Sequence, residues 1–351
     1  MRIDGREIGA DQKPYIIAEI SANHNGSLER AKRLIRDAKA NGANAVKLQT
    51  YTAETLTIDS DEPDFLIEGG LWSGRTLFDL YDQAHTPWFW HAELFQTARE
   101  AEITIFSSPF DRSAIDLLEG LGAPAYKIAS FEIVDHDLIA YAASTGKPMI
   151  LSTGLASLSE TEDAVEIAKS NGCNQLALLH CVSSYPAPPS EYKLHSIPAL
   201  KKIFGIEIGL SDHTIGNLVP AAAVALGATI VEKHFTENIL GGGPDDSFSM
   251  DAIGLSQLRR ALDTTWSSLG FDNFSAQDSE QSNLRFRRSL YFVADLAKGE
   301  TIAPEHIRSI RPGYGVAPKH LAQILGKRLP GEVFRGRPLT PELFDQIMRD
   351  N

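Results

Sequence analysis

His213 and His234 each close a short apolar run, in Ser-Asp-His-Thr at 211–214 and in Glu-Lys-His-Phe-Thr at 232–236. On neighbouring strands, roughly 4.8 Å apart, two imidazoles can reach one ion. Two nitrogen ligands with oxygen donors nearby suit a Mn²⁺-like or Mg²⁺-like site with open positions. A closed zinc site is disfavoured because no cysteine pair accompanies them. Two hydrogen-bonded core histidines are the alternative. Lys47 and Lys127 close two further runs. A lysine buried at a strand end needs a counter-charge. The pair therefore points either to a phosphate, with Ser130, Ser152 and Ser211 as added donors, or to ion pairs with Glu19 and Glu132. Asp245 and Asp246, after three glycines and Pro244, could meet a sugar hydroxyl, approach a metal or close a solvated turn. Cys181 reads as a small buried side chain.

The elements that must position these groups are eight apolar, β-branched runs: 15–21, 45–51, 103–109, 125–130, 148–154, 176–184, 207–213 and 229–235. Near-continuous apolar strands fit a parallel sheet covered on both sides. Amphipathic helical patterns separate most of them, the first with Leu28, Ala31, Leu34, Ile35 and Ala38 on one face. Eight such units predict a (β/α)₈ TIM barrel, with a doubly wound sheet as the alternative. In a barrel, chemistry sits at the C-terminal strand ends. Those ends carry Glu19, Lys47, Gln49, Ser107, Lys127, Ser130, Glu132, Ser152, His180, Tyr185, Ser211, His213 and His234. Polar groups on every strand end predict a polar pocket at the barrel mouth. Lys127 and Ser130 differ in parity, so one of them must lie beyond its strand. The stretch 52–91, rich in tryptophan, is too long for an ordinary connection and is expected to cover the site or meet a partner subunit.

The chain has 351 residues, 33 Lys+Arg against 46 Asp+Glu, and a net charge of −13. That sign argues against a general nucleic-acid binder. No apolar run of about 18 residues spans a membrane. The polar start has no secretory h-region, and two cysteines make no disulfide framework, so a cytoplasmic location is expected. From Arg285 onward 12 basic residues face 7 acidic ones, on a body with 21 against 39. The expected domains are a barrel at 1–270, a linker at 271–288 and a small mixed unit at 289–351 with short strands and no long helix. So small a unit is expected to pack on the barrel or on another subunit.

The chain resembles the sialic acid synthase family over nearly its whole length. The carriers are Ala-Glu-Ile-Ser-Ala-Asn-His-Asn-Gly at 18–26, Val-Lys-Leu-Gln-Thr at 46–50, Tyr-Lys-Ile-Ala-Ser-Phe-Glu at 126–132, Ser-Thr-Gly at 152–154, Ser-Asp-His-Thr, Glu-Lys-His-Phe-Thr and Gly-Pro-Asp at 243–245. The tail from Ser289 resembles that family's C-terminal antifreeze-like (SAF) domain. Leu71–Tyr81, His85-Thr-Pro-Trp and Cys181-Val-Ser-Ser-Tyr-Pro look most like its pseudaminic acid branch. Phe89 stands where that branch often has Glu, and Ser183 where neuraminate synthases commonly have Asn.

The resemblance implies condensation of phosphoenolpyruvate with an N-acetylated amino sugar aldehyde, in this branch 2,4-diacetamido-2,4,6-trideoxy-L-altrose. Neuraminic or legionaminic acid would be the product in the neighbouring branches, and a non-catalytic sugar-binding protein is the rival of another class. The family's roles imply a divalent cation (Mn²⁺, Mg²⁺ or Co²⁺) on His213 and His234. They imply phosphoenolpyruvate on Lys47, Lys127, Ser130, Ser152, Ser211 and Ser183, and the sugar on Gln49, Glu132, Tyr185 and Asp245. Glu19 would stand near the metal, with Glu132 or Asp245 moving the proton. Arg311 would reach the barrel of the other subunit in a domain-swapped homodimer.

Overall fold

The computed structural model describes residues 1–270 and 274–350. Eight parallel strands close into a barrel: β1 (Tyr15–Glu19), β2 (Ala45–Thr50), β3 (Thr104–Pro109), β4 (Tyr126–Ile128), β5 (Met149–Ser152), β6 (Leu176–Cys181), β7 (Glu207–Asp212) and β8 (Ile230–His234). Closure comes from β8 pairing with β1, Ile230 opposite Tyr15 and His234 opposite Glu19. The doubly wound alternative is thereby excluded.

Eight helices surround the strands: α1 (Leu28–Ala40), α2 (His91–Glu100), α3 (Arg112–Leu121), α4 (His136–Ser144), α5 (Leu158–Ser170), α6 (Ser196–Phe204), α7 (Leu218–Ala225) and α8 (Ala252–Leu269). In α1 the Ser27 hydroxyl accepts the Arg30 N–H and starts the helix. Ala31, Leu34, Ile35 and Ala38 are then buried on one face, as their spacing predicts. Burying Leu34 or Ile35 contributes about 1.5–3 kcal/mol each. At the end of α3, Gly122 takes φ +75°, a conformation that costs other residues strain.

Strand parity divides the barrel into layers. The outward faces pack on the helices. The lower inward layer is apolar, built from Tyr15, Ile17, Ala45, Phe106, Ala125, Ile150, Ala177, Leu179 and Ile230. An N-terminal hairpin, Arg2–Ile3 paired with Arg6–Glu7, brings Ile3 and Ile8 into this cluster and stoppers the lower end. The next inward positions toward the mouth are Glu19, Lys47, Ser108, Lys127, Ser152, Cys181, Ser211 and Glu232.

The β2–α2 connection contains a helical turn (Ala53–Leu56), a 3₁₀ turn (Pro63–Phe65), an eight-residue helix (Leu77–Ala84) and a second 3₁₀ turn (Trp88–Trp90). No described helix is long and apolar enough to cross a membrane.

Residues 271–351 form a separate compact unit. Of the expected linker at 271–288, residues 271–273 lie outside the described residues, and Asp278–Phe286 forms 3₁₀ turns. In this unit β9 (Ser289–Phe292) pairs antiparallel with β10 (Ile307–Ile310). Leu290, Phe292, Leu296, Ile302, Ile307, Ile324, Leu329 and Val333 make its core. The expectation of no long helix is corrected: α9 (Pro341–Asp350) buries Ile347 in that core. Its apolar residues recur at helical rather than strand spacing.

Candidate active site

Lys47, Lys127, Glu19 and Glu232 meet inside the barrel, all nearly inaccessible to solvent. Lys47 Nζ contacts Glu19 Oε2, lies 3.6 Å from Glu232 Oε1 and donates to Ser108 Oγ at 3.1 Å. Lys127 Nζ donates to Glu232 Oε1 at 3.1 Å. The ion pairing anticipated for the lysines is therefore present, with one correction: the partner of Lys127 is Glu232, not Glu132. Glu232 lies two residues before His234 and points inward like it. Burial would raise the Glu232 carboxyl, but Lys127 and Lys47 hold it below the usual carboxylate range. Burial pushes Glu19 upward against the pull of Lys47.

Beside this cluster, Ser130, Gly154 and Ser183 crowd together. Ser130 lies past β4 in a 3₁₀ turn, which resolves its parity conflict with Lys127. Its hydroxyl accepts the Gly154 N–H at 3.2 Å. A Cβ on Gly154 would come within 2.3 Å of Ser183 Oγ and 2.6 Å of Ser130 Oγ, so a larger residue would have to displace both hydroxyls. Ser152 is fully buried and its hydroxyl has no partner. Ser211 Oγ is 3.4 Å from Glu232 Oε1. Two buried cations with these neutral donors form a site suited to an anion with several oxygens.

The two histidines stand above. Their ring centroids are 5.5 Å apart. His213 Nδ1 donates to the Val182 carbonyl at 2.8 Å, which fixes the tautomer and leaves Nε2 as a lone-pair donor. Cys181 Sγ is 4.0 Å from the same nitrogen and makes the weaker contact. His234 Nδ1 is buried without a hydrogen-bond partner, 3.7 Å from Asp245 Oδ2. Burial, then His213 and the lysines, hold His234 well below its ordinary value and so neutral. A neutral imidazole with an orphaned nitrogen beside a carboxylate fits a divalent cation. No ready-made group of three or more His, Cys, Asp or Glu ligands occurs among the described residues. The Tyr185 ring lies 4.4 Å from His213 and 5.9 Å from Trp72.

Over His234 opens a cavity of about 320 Å³. Its polar lining is Ser21, Gln49, Glu132, Tyr185, His234 and Asp245, and the β2–α2 connection adds an apolar wall. Trp72 Nε1 donates to the Pro244 carbonyl at 3.2 Å, tying that connection to the loop after β8. The long connection thus covers the mouth. Gln49 Nε2 donates to Glu19 Oε1 at 3.3 Å. Burial pushes Glu132 up to about 7, and its Oε2 has no partner. Asp245 is raised by burial while Ser21 Oγ donates to it at 2.5 Å. Ser21 itself sits at φ +44°.

Three expectations are corrected. Ser107 points outward to Thr50 at 2.7 Å, and the inward residue is Ser108. His180 also points outward, to the Tyr192 carbonyl, with Cys181 facing in. Asp246 does not face the mouth: it is buried among Thr236, Arg30, Asn25 and the Gly243 N–H, and holds its loop. Arg311 is exposed at the end of β10, in the C-terminal unit. Glu232, Ser108 and Cys181 were readable from strand parity. Ser21 was not, because its direction depends on a left-handed backbone beyond the strand.

Residues 34–273 match the NeuB family and residues 287–345 the SAF domain. The chain is 44% identical to the pseudaminic acid synthase of Helicobacter pylori, over 96% of this chain and 99% of that one. It is 35% identical to the N,N'-diacetyllegionaminic acid synthase of Legionella pneumophila, over 95% of each. Among solved structures it is similar to an N-acetylneuraminic acid synthetase of Leptospira borgpetersenii in complex with citrate. There the TM-score is 0.73 and the identity 33%, over 82% of this chain and 95% of that one. The family match over most of the barrel and relatives at 35–44% identity over nearly the whole length show that this chain belongs to the NeuB family, its barrel followed by a SAF domain.

Proposed function

We propose that this chain condenses phosphoenolpyruvate with 2,4-diacetamido-2,4,6-trideoxy-L-altrose and water, giving pseudaminic acid and inorganic phosphate. The observation that carries the reading is the order of groups along the barrel axis. Buried lysines and serines lie deepest, two imidazoles stand above them, and a carboxyl-lined cavity opens last. That order suits an anionic three-carbon donor below an aldehyde acceptor. Similarity to pseudaminic acid synthases at 42–44% identity over nearly the full length supports the choice of sugar.

Lys47, Lys127, Ser130, Ser152, Ser183 and Ser211 would hold the phosphate and carboxylate, with Glu19 and Glu232 orienting the ammonium groups. Fixing C3 of the enol near the aldehyde carbon converts a bimolecular encounter into a local one. His213 and His234 would hold a divalent cation, which when bound supplies Lewis acidity toward a carbonyl oxygen. The C2=C3 π pair of the enol forms the bond from C3 to the aldehyde carbon, leaving C2 electron-deficient, and the carbonyl π pair becomes an alkoxide. Glu132, raised to about 7 by burial, is suited to give that alkoxide its proton. Water adds at C2, and the adduct expels phosphate by C–O cleavage. Asp245, facing His234 and held by Ser21, is placed to take the water proton.

The mouth is rimmed by exposed Phe131, Val134, Leu155, Ile215, Leu218 and Leu240. Apolar rims of this kind mark protein contacts. We assign the cover to the C-terminal unit of a second copy, bringing Arg311 to the sugar in a domain-swapped homodimer. A cytoplasmic location fits two free, buried cysteines.

The test is phosphate release from phosphoenolpyruvate and Mn²⁺ with the altrose, with N-acetylmannosamine and with the legionaminic precursor, each added alone. Release with the altrose alone, lost on chelation, supports the reading. Release with another sugar replaces the product. Silence with all three turns the assignment toward a sugar-binding protein.

A further inference from the structure

The turn that carries His213 is gripped from outside the barrel wall. Tyr192, fully buried in the connection after β6, accepts the His213 N–H on its hydroxyl at 2.7 Å. The same hydroxyl donates to the Ser211 carbonyl at 3.3 Å. One oxygen thus bridges the backbone of two residues whose side chains face the site. Tyr192 is itself anchored, since the outward-facing His180 donates to its carbonyl. From the other side Lys233 Nζ pairs with Asp212 Oδ2 at 2.5 Å and donates to the Thr214 carbonyl. Asp212 in turn accepts the Thr214 N–H at 3.1 Å. Residues 211–214 are therefore pinned at successive positions, and Lys233 immediately precedes His234.

We infer that Tyr192 and the Asp212–Lys233 pair are positioning residues that set the His213 imidazole relative to His234. None of the three side chains lines the cavity. An isolated hydrogen bond to a backbone amide would be a fold contact. Five restraints converging on one turn, at the end of β7 and beside the strand that ends in His234, instead fix the separation of two ligands. A cation discriminates ligand placement at the level of tenths of an ångström, so loss of one restraint weakens binding more than it weakens folding. The inference rests on the reading that His213 and His234 hold a divalent cation.

The experiment titrates Mn²⁺ into substrate-free, full-length protein and follows the free-ion signal by electron paramagnetic resonance. Tyr192→Phe keeps the ring and removes the hydroxyl. Its Mn²⁺ dissociation constant is expected to rise about tenfold, with kcat at fixed Mn²⁺ reduced and KM for phosphoenolpyruvate unchanged. Tyr126→Phe is the control. Tyr126 is equally buried and its hydroxyl bonds Glu119, away from the mouth. It should lose comparable thermal stability with Mn²⁺ affinity unchanged. Unaltered affinity in Tyr192→Phe overturns the inference and leaves the metal reading intact. Absence of Mn²⁺ binding by the unsubstituted protein overturns both. Should Tyr192→Phe not fold, Asp212→Asn, which loosens Lys233 on the same turn, is read by the same two criteria.

Discussion

Glu232 Oε1 lies 3.1 Å from Lys127 Nζ and the same oxygen lies 3.6 Å from Lys47 Nζ, so one carboxylate serves two buried cations. Removing a buried partner leaves an uncompensated charge, which costs about 3–5 kcal/mol. Glu232→Gln is expected to lower Tm by several degrees. Inorganic phosphate or phosphoenolpyruvate should then raise Tm more in the variant than in the parent, because the ligand replaces the missing charge. Equal shifts, measured by calorimetry, would refute an anion site between the lysines.

Glu132 should govern the alkaline side of the rate profile. Burial raises its carboxyl from 4.5 to about 7. The folded state therefore holds a proton between those values that the unfolded chain has released. Stability from this group is lost as pH rises through that window, by up to about 3 kcal/mol. Glu132→Gln should be more resistant to unfolding than the parent at pH 8 and similar to it at pH 4. Its turnover should be low at all pH values and lack the fall near 7. Stopped assays and denaturant titrations at both pH values check the two halves separately.

Ser21 separates backbone strain from hydrogen bonding. Its φ of +44° costs a non-glycine residue about 1 kcal/mol. Its hydroxyl holds Asp245 at 2.5 Å. Ser21→Ala and Ser21→Gly should lose activity alike, since both remove the hydroxyl that donates to Asp245. Only Ser21→Gly should recover stability. If Ser21→Gly stays as active as the parent, Asp245 does not depend on this hydroxyl.

Trp72 ties the β2–α2 connection to Pro244. Trp72→Phe keeps the ring beside Tyr185 and removes the donor. KM for the sugar should rise several-fold with KM for phosphoenolpyruvate unchanged. Limited proteolysis should cut within 57–76 faster than in the parent.

Much of this architecture was legible because barrel strands repeat. Eight apolar runs with helical spacers define the closed sheet, and parity predicts its inward layers. Parity also corrects the reading of bare strand ends. Ser108 is inward where Ser107 is not, Cys181 where His180 is not, and Glu232 shares the face of His234. Ser108→Ala should therefore weaken phosphoenolpyruvate binding while Ser107→Ala disturbs the contacts to Thr50 and the Ser108 carbonyl on the outer side and leaves that binding unchanged. Other features were not legible. The division of labour between Asp245 and Asp246 depends on how a glycine-rich loop folds over Arg30. Ser21 depends on a single unusual dihedral. The polar opening residues gave no hint that Ile3 and Ile8 would stopper the barrel, since two isolated apolar residues carry no period.

That stopper makes the reaction vessel blind-ended. With the lower end sealed by a packed apolar layer, everything that reaches the lysines must pass the histidines and the cavity above them. Whatever lies deepest must arrive first and depart last. The donor is expected to load before the sugar, and phosphate to stay trapped until the nine-carbon acid has gone. Traffic through one door thus imposes an order that no individual side chain encodes. Phosphate should accordingly inhibit competitively against phosphoenolpyruvate, and the sugar acid should not.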